Sequence, residues 1–340
     1  MNFYVSSYGK GEHKGIYIYN LDKKNKKISF VKQIMTKDYP SYIITKDNLL
    51  YAAFKDAGSG IGGGIANYKM VKDNLELYSH FNSMGRSYTH LCLSQDDHYL
   101  FTANYHVGAT AAYLLDHKKI VKKIGTVHHH GLGIDLLKRQ TGPHAHYVGI
   151  TPDNQFLYSV DLGADKIVMY DYSDGILTEK PENNLLMIPG SGPRHMIFSK
   201  DGRFSYVINE ISNSIMVYSY QDGHYTLIQG INCVPRHFHD FSSAAAIRMT
   251  NSGKHMMISN RGHDSIVLYR VNQETGKISL LYMVHTGKGP RDFNIIDDQF
   301  VIVASQESNE IELYTFNEET EELKSTGEKL EIPQPVCVAY

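Results

Sequence analysis

The chain of 340 residues contains no tryptophan and only three cysteines, Cys92, Cys233 and Cys337. So few thiols exclude a disulfide-stapled scaffold, and buried, unreactive thiols in a reducing compartment are the expectation. Charge of one sign is also missing, since 34 Lys and Arg stand against 36 Asp and Glu for a net charge of −2. No global field draws the protein to nucleic acid or anionic lipid, so any charge selectivity must be local. Apolar runs are short and nowhere approach the roughly 18 residues of a membrane span. The N-terminal MNFYVSSYGKGEHK has no apolar signal core. These absences point to a cytoplasmic protein with neither nucleic acid nor membrane as partner. Sustained 3.6-residue apolar periodicity is lacking as well, which excludes a helical core.

What the chain does have is period-two alternation in short apolar or aromatic runs, cut by Asp-Gly, Asp-Asn and Asn-Ser-Gly turns. Around residue 194 the scheme reads HMIFS, FSYVINE, IMVYSY and YTLIQGI, which predicts four antiparallel strands. Comparable units recur at near-equal intervals, with markers at Tyr42, His90, His146, His195, Ala246, Asp292 and Cys337. The last unit is complete only if the chain beyond residue 337 resumes at Met1. Seven such units predict an all-β, seven-bladed β-propeller spanning residues 1–340 as one domain, closed by residues 336–339 pairing with residues 3–6. The 25 tyrosines supply flat surfaces for blade-on-blade packing.

A tight hairpin joins the first and second strands of each unit, so the start of one lies beside the end of the other. Arg194 and His195 must therefore approach Glu210, His146 must approach Asp161, His90 Tyr105, and Arg291 Gln306. Arg261 takes in its unit the place of Glu210, and Arg248 shares a strand face with Ala246. In a propeller the first strand lines the axis, which gathers these residues at one mouth of the channel. Arg194, Arg248, Arg261 and Arg291 outnumber Glu210, Asp161 and Asp292, a balance suited to forked hydrogen bonds with phosphate or carboxylate.

The motifs Arg139-Gln140, Gly142-Pro143-His144-Ala145-His146, Asp161-Leu162-Gly163-Ala164-Asp165, Gly192-Pro193-Arg194-His195-Met196, Asn209-Glu210 and Asn260-Arg261-Gly262-His263-Asp264 carry a resemblance. With them the chain resembles the seven-bladed propeller lactonase family, which includes the propeller type of bacterial 6-phosphogluconolactonase and is related to fungal carboxymuconate lactonizing enzymes. The resemblance implies hydrolysis of a sugar lactone, with 6-phospho-D-glucono-1,5-lactone as the expected substrate and no metal or organic cofactor. Ester hydrolysis needs an activated water, stabilisation of the charge developing on the carbonyl oxygen, and a proton for the departing oxygen. His146, Arg194 and Glu210 are the implied catalytic residues, with Glu210 or His146 as base and Arg194 facing the oxyanion. His144, Asp161, His195, Arg248, Arg261 and Arg291 are expected to bind substrate. Ala246 departs from the pattern, since family members often carry an acid there. The alternatives are a lactonizing cycloisomerase acting on a carboxylated diene acid, and a non-catalytic propeller that serves as a binding scaffold.

Other motifs carry less. His128, His129 and His130, with His144 and His146 downstream, suggest a metal site, but a consecutive triplet on a strand cannot aim three rings at one ion. The glycine-rich run 58–64 lacks the Lys-Ser/Thr of a phosphate loop, so a strand connection is expected. No Gly-x-Ser-x-Gly elbow is present, and the basic run 23–27 reads as a solvated turn. The connection from His128 to Gln140 is long for a compact ring, and such loops more often serve function.

Overall fold

The computed structural model describes residues 1–84, 87–135 and 139–340, so residues 136–138 of that long connection lie outside the described residues. Within the described residues helix is confined to the short 3-10 turns Gly11–His13, Ser173–Gly175 and Pro181–Asn183. The strands form seven antiparallel sheets, the blades of a propeller. In the fifth blade they are Pro193–Phe198, Phe204–Asn209, Ser214–Gln221 and His224–Asn232, the four expected from the sequence. The fourth blade differs at its outer edge. There the short strands Thr178–Glu179 and Leu185–Leu186 share one position beside Lys166–Asp171. Pro181 opens the intervening 3-10 turn and withholds a ladder donor, which splits the edge.

The ring closes as the repeat requires. Pro335–Ala339 lies beside Asn2–Tyr8, with Tyr4 opposite Ala339, Val5 opposite Val338 and Ser6 opposite Cys337. Packing between blades rests on a repeated residue. The third strand of each blade carries a buried tyrosine, in order Tyr19, Tyr68, Tyr113, Tyr170, Tyr218, Tyr269 and Tyr314. Outside the fourth blade these tyrosines sit where the register with the outer strand slips. A bulge increases local twist, and the flat ring fills the wedge between twisted blades. Cys233 and Cys337 are buried and Cys92 partly so, all three unpaired. Burial pushes the Cys92 thiol up to about 12, which leaves it protonated and inert at neutral pH.

Candidate active site at the channel mouth

Two sets of backbone positions build the mouth. The first is a bulge on the innermost strand, where pairing with the second strand skips one residue. Ser41, His146, Arg194, Arg291 and Val336 are the skipped residues in their blades. Thr89 holds the same place just ahead of His90–Leu93, its N–H bonded to Ala103 O at 2.9 Å. A bulged residue has no partner opposite, so the bulge re-aims its side chain. These six all line the axial cavity. Glycine fixes the approach: Gly192 and Gly289 precede Pro193 and Pro290 with φ of 59° and 67°. A Cβ on Gly192 would stand 2.5 Å from Ile211.

The second set is the residue ending, or just following, the second strand. Tyr8, Lys55, Tyr105, Glu210 and Arg261 hold this position and line a cavity of about 220 Å³ with His146, Arg139 and Arg291. Sites for drug-sized ligands run to roughly 300–1,000 Å³, so this one suits a small metabolite. A larger depression of about 500 Å³ lies on the opposite face, at the hairpin turns around Lys200 and Ser252. Its Asp201 and Arg203 bond each other, which leaves no convergent charge.

One alignment of the repeat is corrected. The sequence set His146 level with His195, whereas strand pairing places Ala145 opposite Asp161 and Pro193 opposite Asn209. His146 is therefore level with Arg194, and Tyr147 with His195. Asp161 accordingly matches Asn209 and not Glu210. Its Oδ1 accepts the N–H groups of His144, Gly163 and Ala164 at 2.7, 3.0 and 2.9 Å, and its Oδ2 lies 2.6 Å from His129 Nδ1. Asp161 thus braces a turn and does not line the cavity. His129 completes the brace with Nε2 3.0 Å from Thr110 Oγ1, which gives the histidine triplet a structural part.

His144 also stands back from the cavity. Its ring stacks on Tyr105 at 4.3 Å and its Nδ1 faces Tyr105 O at 2.9 Å. Arg248 is displaced as well. Ser243, level with Arg261, begins its strand at the mouth, and Arg248 lies near the far end, 2.8 Å from Asp292 Oδ1. Ala246 has its side chain in the apolar cluster with Met257, Ile266 and Phe293, so an acid there would be buried among hydrocarbon.

Of the nine residues expected at the site, His146 and Arg291 line both cavities, Arg194 and His195 the axial one, and Glu210 and Arg261 the one of about 220 Å³. His195 and Tyr42 line the axial cavity, and the rings of His90 and Tyr147 bridge them. Ring centroids are 4.1 Å apart for Tyr42 and His90, 3.8 Å for His90 and Tyr147, and 4.9 Å for Tyr147 and His195. Tyr8, Lys55 and Arg139 escaped the sequence reading. The rule that places Glu210, applied to every second strand, picks out Tyr8 and Lys55; Arg139 stands in a motif of the resemblance, but nothing local aims it at the mouth.

Charge inside the mouth is organised around Glu210, which is buried. Its carboxylate meets Arg139, Arg194 Nε at 2.9 Å and Arg261 Nη2 at 3.1 Å. Burial alone would raise its pKa, but Arg261, Arg194 and Arg139 together hold it well below the usual carboxylate range. Arg194 Nη1 donates to Ala245 O at 2.7 Å and lies 3.0 Å from His195 Nε2. A guanidinium only donates, so His195 Nε2 accepts and the ring carries its proton on Nδ1. Burial, then Arg261, pull the Arg194 pKa down to about 9, which still leaves it charged at neutral pH. His146 is buried with no hydrogen-bond partner for Nδ1 among the described residues. Burial and Arg194 hold its pKa well below 6.5, so the ring is neutral. No group of three or more His, Cys, Asp or Glu among the described residues is placed to hold a metal ion.

Residues 2–340 match the family described as Lactonase, 7-bladed beta-propeller. The chain is similar to the 6-phosphogluconolactonase of Bacillus subtilis (strain 168), 33% identical over 347 residues that cover 99% of this chain and 97% of that protein. It is also 32% identical to an uncharacterised protein of Staphylococcus saprophyticus, with 99% and 98% covered. Among solved structures it is similar to the periplasmic gluconolactonase of Pseudomonas aeruginosa, with a TM-score of 0.92 at 27% identity and coverage of 99% and 98%.

Proposed function

Because the chain belongs to the seven-bladed β-propeller lactonase family, we propose that it is a lactonase whose channel mouth opens a sugar lactone, 6-phospho-D-glucono-1,5-lactone being the substrate. The observation that carries this reading is the free, buried Nδ1 of a neutral His146 in a cavity shared with a charged Arg194. Buried polar atoms are nearly always paired, and an unpaired one beside a cavity is placed to meet a ligand or its attacking water. His146 takes the proton of that water as general base. Arg194 Nη2, without a protein partner among the described residues, faces the oxyanion as the tetrahedral intermediate forms. His146 then returns the proton to the departing ring oxygen.

We assign Glu210 a supporting part and not that of the base. A carboxylate held by three arginines is a weak proton acceptor, so its part here is to hold those arginines in place. We place the protein in the cytoplasm, which its unpaired cysteines suit. No described helix is long and apolar enough to cross a membrane. The test is hydrolysis of freshly prepared 6-phospho-D-glucono-1,5-lactone, corrected for spontaneous opening. Purified protein is expected to accelerate opening and to prefer this lactone to the unphosphorylated one. Opening at the spontaneous rate with both lactones would move the scaffold reading ahead.

A further inference from the structure

The cations at the mouth divide into two groups. Arg139, Arg194 and Arg261 share Glu210. Arg291 and Lys55 line the cavity of about 220 Å³ with Arg139, Arg261 and Glu210, and have no carboxylate partner among the described residues. Arg291 reaches Gln306 Oε1 only at 3.5 Å, and its guanidinium lies over the Tyr8 ring, 5.7 Å from the centroid. Stacking on Tyr8 keeps the fork extended without using its donors. Burial, the largest influence on Tyr8, raises its pKa, so the phenol keeps its proton and can donate.

Position sharpens the division. Glu210 and Arg194 belong to the fifth blade and His146 to the fourth. Tyr8, Lys55 and Arg291 come from the blades built on Asn2–Tyr8, Leu49–Lys55 and Pro290–Ile296, which flank the ring closure on the other side of the axis. We infer that Arg291 and Lys55, with Tyr8, form a subsite for a phosphate monoester, which orients the lactone with its carbonyl toward His146 and Arg194 and its phosphate toward the closure. Two cations without counter-ions match the near-dianionic charge of a phosphate monoester better than a carboxylate, and phosphate offers the three acceptors that the fork, the ammonium and the phenol require.

The inference rests on the lactonase reading, and the experiment separates the two. Rates with 6-phospho-D-glucono-1,5-lactone and D-glucono-1,5-lactone are measured for the wild type and for Lys55→Ala, Arg291→Ala and Arg291→Lys, alongside calorimetric titration with inorganic phosphate. Each alanine variant is expected to lower the ratio of kcat/KM for phosphorylated over plain lactone by about 10- to 100-fold, mainly through KM. It should weaken phosphate binding in parallel, and Arg291→Lys should restore part of both. An unchanged ratio with unchanged phosphate binding overturns the subsite. Were the wild type to hydrolyse neither lactone, the lactonase reading would fail, while loss of phosphate binding in the variants would still uphold the subsite.

Discussion

Replacing Arg194 by Ala is expected to slow lactone turnover by about 10²- to 10³-fold, the usual cost of removing one donor aimed at a developing oxyanion. The protein should remain folded, because Glu210 keeps Arg261 and Arg139 as partners when Arg194 is gone. The loss should therefore fall on kcat more than on KM. Glu210→Gln provides the contrast. If Glu210 were the base, that substitution would remove proton acceptance and leave binding intact. In the arrangement described here it removes the charge that three arginines share, so KM should shift together with kcat. Steady-state kinetics of both variants, with circular dichroism to check folding, decides between them. Wild-type turnover in Arg194→Ala would place the oxyanion elsewhere.

Deleting residues 335–340 is expected to destabilise the protein by on the order of 5 kcal/mol or more, since several fully buried side chains are worth roughly 1.5–3 kcal/mol each. The strand Pro335–Ala339 is buried along its whole length, with Cys337, Val338 and Ala339 packed against neighbouring blades. Its removal also exposes the ladder edge of Asn2–Tyr8. The same deletion takes away Val336, a lining residue of the cavity, so activity should fall with stability. Thermal unfolding followed by circular dichroism should show a midpoint well below wild type. An equal midpoint would mean that ring closure contributes nothing.

The ring was legible in the sequence because a blade is local: each hairpin turn and each period-two run reports only on its neighbours. Closure was legible too, since an incomplete final unit can be completed only by the first strands. The mouth was harder. Histidines at 146 and 195 look like equivalents in the string, and the bulge that makes His146 level with Arg194 leaves no mark on composition. Asp161 looked like the counterpart of Glu210 for the same reason, although the turn it braces consumes both oxygens. Glu210 and His146 stood equal as the base in the string, because a side chain read alone carries no record of its neighbours. The three arginines around Glu210 come from the fourth-blade connection and from two separate blades, and only the folded ring assembles them. Tyr8 and Lys55 were one rule away.

The pH dependence of kcat/KM for 6-phospho-D-glucono-1,5-lactone, compared between wild type and His146→Ala, tests the central claim most directly. An ordinary histidine base would lose activity as pH falls through 6.5, whereas burial and Arg194 keep His146 neutral to lower pH. The wild-type profile should therefore stay level through 6.5 and fall only below it, as the ring at last takes up a proton. His146→Ala should lose about 10²- to 10⁴-fold in rate and that acid limb with it. An unaltered rate and an unaltered acid limb in His146→Ala would contradict the assignment of His146 as the base.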